Sequence, residues 1–304
     1  MTDLEFKTHL IRNIEIRLKD EVVSDSMPPQ GMSSQVFFII MKSGNQYAVK
    51  YGKSAAKDVP AIDLIISSNI EIPVPKVIAN FVFNEVPVVI LQKIEYPLLE
   101  KVPDNRIHEY IPSIIENLKK LHQIKSSKST LVANPDSMIS WKDQMLNIFN
   151  GVDFDWNEVS KRDSLVGNLV LRSVENVLAK IKSQAFKVDS FSLLHTDFNQ
   201  RNLFVDLNNN QITGIIDWED AVFGDPIFDF ARVRMYMWHF GLSDKAVADY
   251  YSLMNYSKEE SELENLYWLI RVVQYLAWYS EDLSDFSIGR IKLHQDFLRE
   301  YKWQ

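Results

Sequence analysis

The hydrophobic pattern of the chain changes at about residue 95, and this change restricts the folds that the chain can adopt. Upstream, β-branched and aromatic residues lie in short stretches separated by turn residues, as in antiparallel strands. Downstream, apolar residues recur at helical spacing, most clearly over residues 111–124. The sequence therefore predicts an α+β protein of two lobes. A small antiparallel-sheet lobe covers residues 1–95, a larger and mainly helical lobe covers residues 96–304, and a hinge lies at about residues 91–97.

Individual elements follow from the same patterns. The helices expected in the first lobe are 3–19 and 58–69. The strands expected there are 36–41, 46–51, 78–83 and 86–94. In the second lobe, only residues 203–205 and 212–216 are expected to form strands, and the aromatic-rich tail from 263 to 303 is expected to be helical.

Charge and composition exclude several classes of protein. The 304 residues carry 33 Lys and Arg against 41 Asp and Glu, a net charge of −8. An acidic protein repels nucleic acid, so no nucleic-acid partner is expected, and a cationic small molecule is favoured. The same charge also serves solubility alone, and on charge alone that is the simpler reading.

Neither a membrane nor an oxidising compartment is indicated. No apolar run approaches the length that spans a bilayer, and the first residues lack the pattern of a signal peptide. The absence of cysteine excludes disulfides and thiolate-bound metals and fits the reducing cytoplasm, where we expect the protein. The sequence leaves the number of subunits open.

A group of chemically active residues lies between positions 193 and 217. Asp197 is followed by Asn202 and a short strand, and Asp217 ends the next apolar stretch. Phosphoryl transfer to a hydroxyl needs a carboxylate that accepts or orients the hydroxyl proton, and oxygen ligands that hold Mg²⁺ against the phosphates. Asp197 suits the first task. Asn202 and Asp217 suit the second, because a hairpin between them would return the chain. Any one of the three alone would be interpreted as a turn residue.

Lys50 is the candidate phosphate-binding cation. It ends an alternating strand of the first lobe, where a lysine that faces a cleft can hold a phosphate. A surface lysine is the commoner role for this residue type. The hairpin before Lys50 and the aspartates after it favour the phosphate-binding role.

Residues 193–230 resemble the aminoglycoside phosphotransferase family, whose fold is similar to that of eukaryotic-type protein kinases. The sequence at 224–231 is similar to the family's Gly-Asp-Pro-x-x-Asp-Leu-Ala run, and residues 72–77 and 118–122 look like two further family segments. The resemblance covers nearly the whole chain and is loosely nearest to the hygromycin-type antibiotic phosphotransferases. It implies a two-lobed protein-kinase-like fold and a Mg-dependent transfer of phosphate from ATP or GTP to a small-molecule hydroxyl.

The resemblance also implies residue roles. Asp197 is the catalytic aspartate, Asn202 and Asp217 bind Mg²⁺, and Lys50 pairs with the α- and β-phosphates. Family members carry a glutamate as the partner of this lysine, and Asp58 takes its place here. The remaining implied nucleotide contacts are Ser33, Ser34, Gln92 and Ile94. The implied structural supports are His195, Asp225 and Asp229.

The acceptor is not fixed by the sequence. A polyamine acceptor requires carboxylates, and the candidates are Glu219, Asp220, Glu281 and Asp282. Glu281 and Asp282 are more readily explained as a solvated helix end. The leading hypothesis is an aminoglycoside acceptor. The alternatives are a normal metabolite of the homoserine, choline or sugar type, or a catalytically silent nucleotide-binding protein of the kinase fold.

Overall fold

A computed structural model of the chain describes residues 3–28, 34–149, 155–162, 167–184, 186, 190–239, 241–242, 244–281 and 284–302. The chain forms two compact units. The first consists of Met1–Lys101 and Gln200–Ala221, and the second of Val102–Asn199 and Val222–Gln304. The segment Gln200–Ala221 therefore belongs to the same unit as the N-terminal hundred residues.

The helices and strands have the following bounds. The helices are α1 (Asp3–Leu18), α2 (Asp58–Ser67), α3 (Ile111–Leu121), α4 (Trp141–Asn147), α5 (Trp156–Arg162), α6 (Gly167–Ser183), α7 (Ile227–His239), α8 (Asp244–Met254), α9 (Lys258–Tyr279) and α10 (Asp285–Glu300). The strands are β1 (Val22–Ser26), β2 (Gln35–Met41), β3 (Gln46–Tyr51), β4 (Val77–Phe83), β5 (Val86–Gln92), β6 (Lys125–Ser126), β7 (Thr130–Leu131), β8 (Asn134–Met138), β9 (Phe191–Leu194), β10 (Leu203–Asp206), β11 (Gln211–Ile215) and β12 (Val222–Gly224). Short 3₁₀ turns precede α2 and α3.

The first unit is built on an antiparallel five-stranded sheet of order β1-β2-β3-β5-β4. One face of this sheet is covered by α1, whose Leu10 and Ile14 share a buried core with Phe37 and Val49. Successive side chains of a strand point to opposite faces. Since Val49 faces α1, the next residue, Lys50, lies on the other face of β3.

The hairpin of β10 and β11 is fastened to the first unit by backbone hydrogen bonds. The Val205 N–H donates to the Pro97 carbonyl at 2.9 Å, and the Ile215 N–H donates to the Pro73 carbonyl at 2.7 Å. Leu203 pairs with Ile215 at the open end of the hairpin. Residues just before β10 and just after β11 are therefore neighbours within this unit.

The second unit contains a sheet that the sequence did not predict. Five short strands pair in the order β6-β9-β12-β7-β8. The expectation that only residues 203–205 and 212–216 form strands in this half of the chain is wrong. Strands β6 and β7 have two residues each, too few for an alternating pattern to be detected.

Helices supply most of the second unit. Its core contains buried residues of α4, α5, α6, α7, α9 and α10, and α9 is buried around most of its circumference. Ser257 and Glu260 form a reciprocal capping box at the start of α9, which satisfies backbone N–H groups that the helix leaves unpaired. The expected helical tail consists of α9 and α10. Among the described residues, no helix is both long and apolar enough to cross a membrane.

These units confirm the α+β class with an antiparallel sheet in the N-terminal part. The hairpin pairs expected at 36–51 and 78–94 are present as β2–β3 and β4–β5. The helices expected at 3–19 and 58–69 are present as α1 and α2.

Gly224 tests the packing of the second unit. A Cβ atom at this position would lie 2.2 and 2.5 Å from ring atoms of Trp141 and 2.8 Å from Leu194. We expect Gly224→Ala to lower the free energy of unfolding by about 1–3 kcal/mol, because a rigid core must shift. Gly289 is the control, since a Cβ there meets nothing within 4 Å. Gly289→Ala should be neutral or stabilising in urea unfolding, and equal effects of the two substitutions would contradict the packing argument.

Candidate active site

Lys50 lies at the centre of a cluster of carboxylates in the first unit. Its Nζ atom donates to Asp58 Oδ2 at 2.8 Å, to Asp217 Oδ1 at 2.9 Å and to Glu219 Oε2 at 3.4 Å. Asp58 comes from the first turn of α2, and the other two acids follow β11. The structure thus brings together residues from three separate parts of the sequence around one ammonium group.

Burial and charge act in opposite directions in this cluster. Burial raises the pKa of Asp58 to about 6, although the Lys50 ammonium lowers it. Burial alone would lower the pKa of Lys50, but Asp58 and Asp217 raise it overall. Among the described residues, Asp58 Oδ1 is buried without a hydrogen-bond donor, so the side chain is committed to Lys50 through one oxygen only. Three carboxylates share one cation, and a further cation would offset the excess negative charge.

Asn202 and Asp217 flank the β10–β11 hairpin on the same side. The Ile216 N–H donates to the Asn202 carbonyl at 3.0 Å. Asp217 has a left-handed backbone with φ of 70°, a conformation that is uncommon outside glycine and is often found at functional sites. The next residue, Trp218, is fully buried and donates its indole N–H to the Ile215 carbonyl. This anchor fixes the turn that carries Asp217.

The chemistry of these side chains suits Mg²⁺. Asp217 supplies a carboxylate with 39% of its side chain exposed, and Asn202 supplies an amide oxygen. Mg²⁺ prefers oxygen ligands and usually keeps water or phosphate oxygens in its shell. No three His, Cys, Asp or Glu side chains of the described residues form a metal-binding group by themselves. A metal at this position would therefore need the amide of Asn202 and ligand oxygens in addition.

Asp197 lies in the second unit, in the loop after β9. Its Oδ1 atom accepts from the Tyr275 hydroxyl at 3.1 Å and from Arg232 Nη2 at 3.4 Å, and its Oδ2 atom accepts from the Asn199 amide at 2.8 Å. Burial alone would raise the pKa of Asp197, but Arg232, Asn199 and His195 lower it overall. Asp197 is therefore an ionised, oriented acceptor at neutral pH.

The Asp197 loop is held by Asp229, which is fully buried near the start of α7. Asp229 accepts from the backbone N–H groups of His195 at 3.0 Å and Thr196 at 2.8 Å, and it contacts the His122 ring at 3.1 Å. Thr196 has φ of 68°, which is strained for a β-branched residue. Arg271 donates to the Thr196 carbonyl. These bonds impose the conformation that turns the loop at Asp197.

Two further predicted supports have defined contacts. His195 is fully buried, and its Nδ1 atom accepts from the Asp197 N–H at 3.3 Å. Asp225 accepts from the Ile227 N–H at 3.0 Å, at the first residue of α7, and from the Tyr267 hydroxyl at 3.0 Å. Both side chains are engaged with the backbone beside the site.

The remaining candidates are more scattered. Ser34 is buried with its hydroxyl 3.0 Å from that of Ser54. Gln92 is exposed, and its N–H donates to the Lys76 carbonyl, while Ile94 is half-buried. The other predicted positions fall into two groups: Asp220 and Glu281 are exposed, and Ser33 and Asp282 lie outside the described residues.

The residues that surround Asp197 were not among those predicted from the sequence. Arg232 follows Asp229 by three positions on α7, and such spacing places both on one side of a helix. Arg271 and Tyr275 have the corresponding i, i+4 spacing on α9. The first spacing was a detectable signal, whereas nothing in the sequence links α9 to the Asp197 loop.

Comparison with known families gives one match over most of the chain. The family model APH, described as the phosphotransferase enzyme family, matches residues 28–258. No curated protein matches the chain in sequence.

Solved structures share the fold at low sequence identity. Aminoglycoside phosphotransferase APH(4)-Ia, as a thermostable mutant with AMP-PNP and hygromycin B, has a TM-score of 0.74 at 17% identity, covering 95% of this chain and 98% of that one. ADP-bound APH(2'')-Ib has a TM-score of 0.60 at 20% identity, covering 98% and 97%. A type I macrolide 2'-phosphotransferase has a TM-score of 0.62 at 16% identity, covering 96% and 98%. These similarities confirm the fold expected from the sequence.

The raised pKa of Asp58 predicts a pH dependence of stability. The folded state binds the Asp58 proton more tightly than the unfolded state, whose carboxyl has a pKa of about 4. Asp58 therefore makes the free energy of unfolding fall as the pH rises from about 4 to about 6. The amide of Asp58→Asn does not titrate, so the variant lacks this pH-dependent loss. Its free energy of unfolding relative to wild type should therefore rise across that window, by on the order of 3 kcal/mol.

Urea unfolding at pH values between 4 and 7 measures this difference. Asp63→Asn is the matched control, because Asp63 is exposed on the same helix and makes no described contact with Lys50. A difference between Asp58→Asn and wild type that stays constant with pH would contradict the burial argument.

Proposed function

The chain belongs to the phosphotransferase enzyme family, and from this membership we propose that it is a Mg-dependent kinase of a small-molecule hydroxyl. The observation that carries the proposal is the pairing of buried Lys50 with Asp58 and Asp217 in the unit that also holds Asn202. Such a cluster supplies a fixed cation for phosphates and oxygen ligands for a metal.

Lys50 is proposed to bind the α- and β-phosphates of ATP or GTP. An ammonium that Asp58 already holds in place loses little freedom when a phosphate binds, and the resulting hydrogen bonds are charge-assisted. Ser33 and Ser34 would add hydroxyl donors. The chain from Gln92 to Ile94, just after β5, would contact the edge of the base.

Asn202 and Asp217 are proposed to hold Mg²⁺. The metal, when bound, would neutralise charge on the phosphates during transfer. Asp217 presently accepts from Lys50 through Oδ1, at 2.9 Å. Its carboxylate can therefore serve the metal and the ammonium together, since each oxygen has more than one acceptor site.

Asp197 is proposed to receive the acceptor hydroxyl. Its lowered pKa makes it a weak base, so its main contribution would be to orient the hydroxyl by accepting its hydrogen bond. Arg232 and Tyr275 fix the carboxylate in one orientation. His195, Asp225 and Asp229 would then act through the backbone of the loop and of α7 rather than on the substrate.

Two acceptor classes have support. An aminoglycoside acceptor is favoured by the hygromycin B complex of the APH(4)-Ia neighbour, and exposed Asp220 and Glu281 are carboxylates that such a polycation could use. A normal metabolite that carries a carboxylate, such as one of the homoserine type, is favoured by the two arginines beside Asp197. We propose the cytoplasm as the compartment, because nucleoside triphosphates are available there.

Lys50→Ala should weaken nucleotide binding. Loss of charge-assisted hydrogen bonds of about 1.5–3 kcal/mol corresponds to an increase of about 10- to 100-fold in the Kd of Mg–AMP-PNP, measured by calorimetry. Lys53→Ala, at an exposed position close by, should leave the Kd unchanged. EDTA should weaken wild-type binding as well. Equal Kd values for wild type and Lys50→Ala would exclude the phosphate role of Lys50.

Asp197→Asn should abolish most turnover while nucleotide binding persists. We expect kcat for ADP release to fall by about 10²- to 10⁴-fold, because an amide cannot accept the hydroxyl proton and orients it differently. The assay uses a panel of aminoglycosides, hydroxy acids, amino alcohols and sugars. Asp249→Asn, exposed on α8, serves as the control. If wild type binds nucleotide but turns over no acceptor in the panel, the catalytically silent alternative gains support.

A further inference from the structure

Two buried arginines lie beside Asp197 in the second unit. Arg232 and Arg271 are each only 7% exposed. Arg232 Nη2 lies 3.4 Å from Asp197 Oδ1, and Arg271 donates to the carbonyl of Thr196, the residue before Asp197. The position proposed to receive the acceptor is therefore bordered by two guanidinium groups.

Among the described residues, most of the donors on these two groups have no protein acceptor. A guanidinium carries five N–H donors. In the described hydrogen bonds, Arg232 uses a donor for Asp197, and Arg271 uses donors for Gln274 and the Thr196 carbonyl. Among the described residues, the Nε atoms of both arginines are buried without an acceptor. Buried donors of charged groups are costly when they are left unpaired.

Arg271 has no direct ion pair among the described residues. No described carboxylate lies within ion-pair distance of it. Asp197 is bonded to Arg232, Tyr275 and Asn199, while Asp229 is bonded to the loop backbone and His122. Burial and the neighbouring Arg232 charge lower the pKa of Arg271 overall, although Tyr275, Asp197 and Asp229 raise it in part.

Aromatic rings cover the faces of both guanidinium groups. Arg232 lies 4.4 Å from the centre of the Tyr275 ring, and Arg271 lies 4.2 Å from the centre of the Phe228 ring. Stacking of this kind fixes the guanidinium plane and leaves its edge for hydrogen bonds. Two parallel N–H groups on this edge can donate to the two oxygens of one carboxylate.

We propose that the acceptor is a small hydroxy acid whose carboxylate binds Arg232 and Arg271 while its hydroxyl lies at Asp197. Because Arg232 contacts Asp197 directly, the acceptor's two groups must be close together in the molecule. This inference rests on the proposed kinase function. In the transfer, the acceptor oxygen bonds to the γ-phosphorus as the bond from that phosphorus to the β-phosphate oxygen breaks. The hydroxyl proton passes by way of Asp197 to solvent.

Two other roles for the arginines must be distinguished from this one. They could bind the γ-phosphate of the nucleotide, which is also an anion. They could instead serve the protein alone, with Arg271 bracing Thr196 and Arg232 orienting Asp197. If the arginines bind the γ-phosphate, acids should not bind when a nucleotide already fills the γ-phosphate position. If the arginines serve only the protein, the site should show no preference for anionic ligands.

The test measures binding of matched acids and neutral polyols by calorimetry. Glycerate is compared with glycerol, and gluconate with sorbitol, at constant ionic strength and in the presence of saturating Mg–AMP-PNP. We expect the acids to bind and the polyols to bind at least about tenfold more weakly. Arg232→Gln and Arg271→Gln should each weaken acid binding by about tenfold or more, and Arg271→Lys should restore part of it.

Arg234→Gln is the matched control. Arg234 lies on the same helix as Arg232 but pairs with Glu264 at 3.4 Å, so this variant should bind the acids as wild type does. Circular dichroism of each variant verifies folding. Equal binding of acids and polyols, or acid binding that is unchanged in both arginine variants, would overturn the proposal. Acid binding seen with Mg–ADP but not with Mg–AMP-PNP would assign the arginines to the γ-phosphate and overturn it as well.

The same titrations separate this inference from the kinase proposal. Binding of Mg–AMP-PNP to wild type is measured first. Its absence would contradict the kinase function itself. Its presence without discrimination between acids and polyols, or turnover of aminoglycosides alone, would reject only the hydroxy acid acceptor.

Discussion

The pairing of the buried Lys50 ammonium with carboxylates is the interaction on which the candidate site of the first unit depends. A lysine on the inner face of a sheet is costly to bury unless carboxylates compensate its charge. Here the compensation comes from α2 and from the segment after β11, which are far apart in sequence. One side chain thus links the sheet, the helix and the hairpin, and the same contacts hold its ammonium group in place.

The two units carry opposite electrostatic arrangements. Around Lys50, carboxylates outnumber the cation, and the raised pKa of Asp58 reflects that excess. Around Asp197, Arg232 contacts the carboxylate and Arg271 binds the preceding carbonyl, and the pKa of Asp197 is lowered overall. A metal-bound triphosphate suits the first arrangement and an anionic acceptor suits the second. Charge at a site therefore differs from the net charge of the protein, which is acidic.

Much of the fold could be predicted because local patterns were strong. The hairpins β2–β3 and β4–β5 and the helices α1 and α3 follow from alternation, helical spacing and turn residues. The second sheet was not predicted: β6 and β7 have two residues each, too few to show a period, and their pairing with β9 and β12 joins segments that are far apart in sequence.

The same distinction applies to the candidate site. Asp197, Asn202 and Asp217 could be chosen as candidates because they lie close together in sequence, and their roles stay predictions. Arg271 and Tyr275 could not, because their role depends on how α9 packs on the Asp197 loop. Asp58 is an intermediate case: its place in the sequence suggested it as the partner of Lys50, and the 2.8 Å contact between them depends on how α2 packs on the sheet.

The left-handed backbone of Thr196 depends on contacts with two helices that are distant from it in sequence. Such a conformation costs about 1–3 kcal/mol and persists only where surrounding bonds impose it. The bonds to Thr196 come from Asp229 on α7 and Arg271 on α9, so the shape of the loop depends on two helices outside it. If either helix loosens, Thr196 can relax to an ordinary backbone conformation and Asp197 turns away. Heating or mild denaturant would then silence the enzyme while most of its secondary structure is still intact.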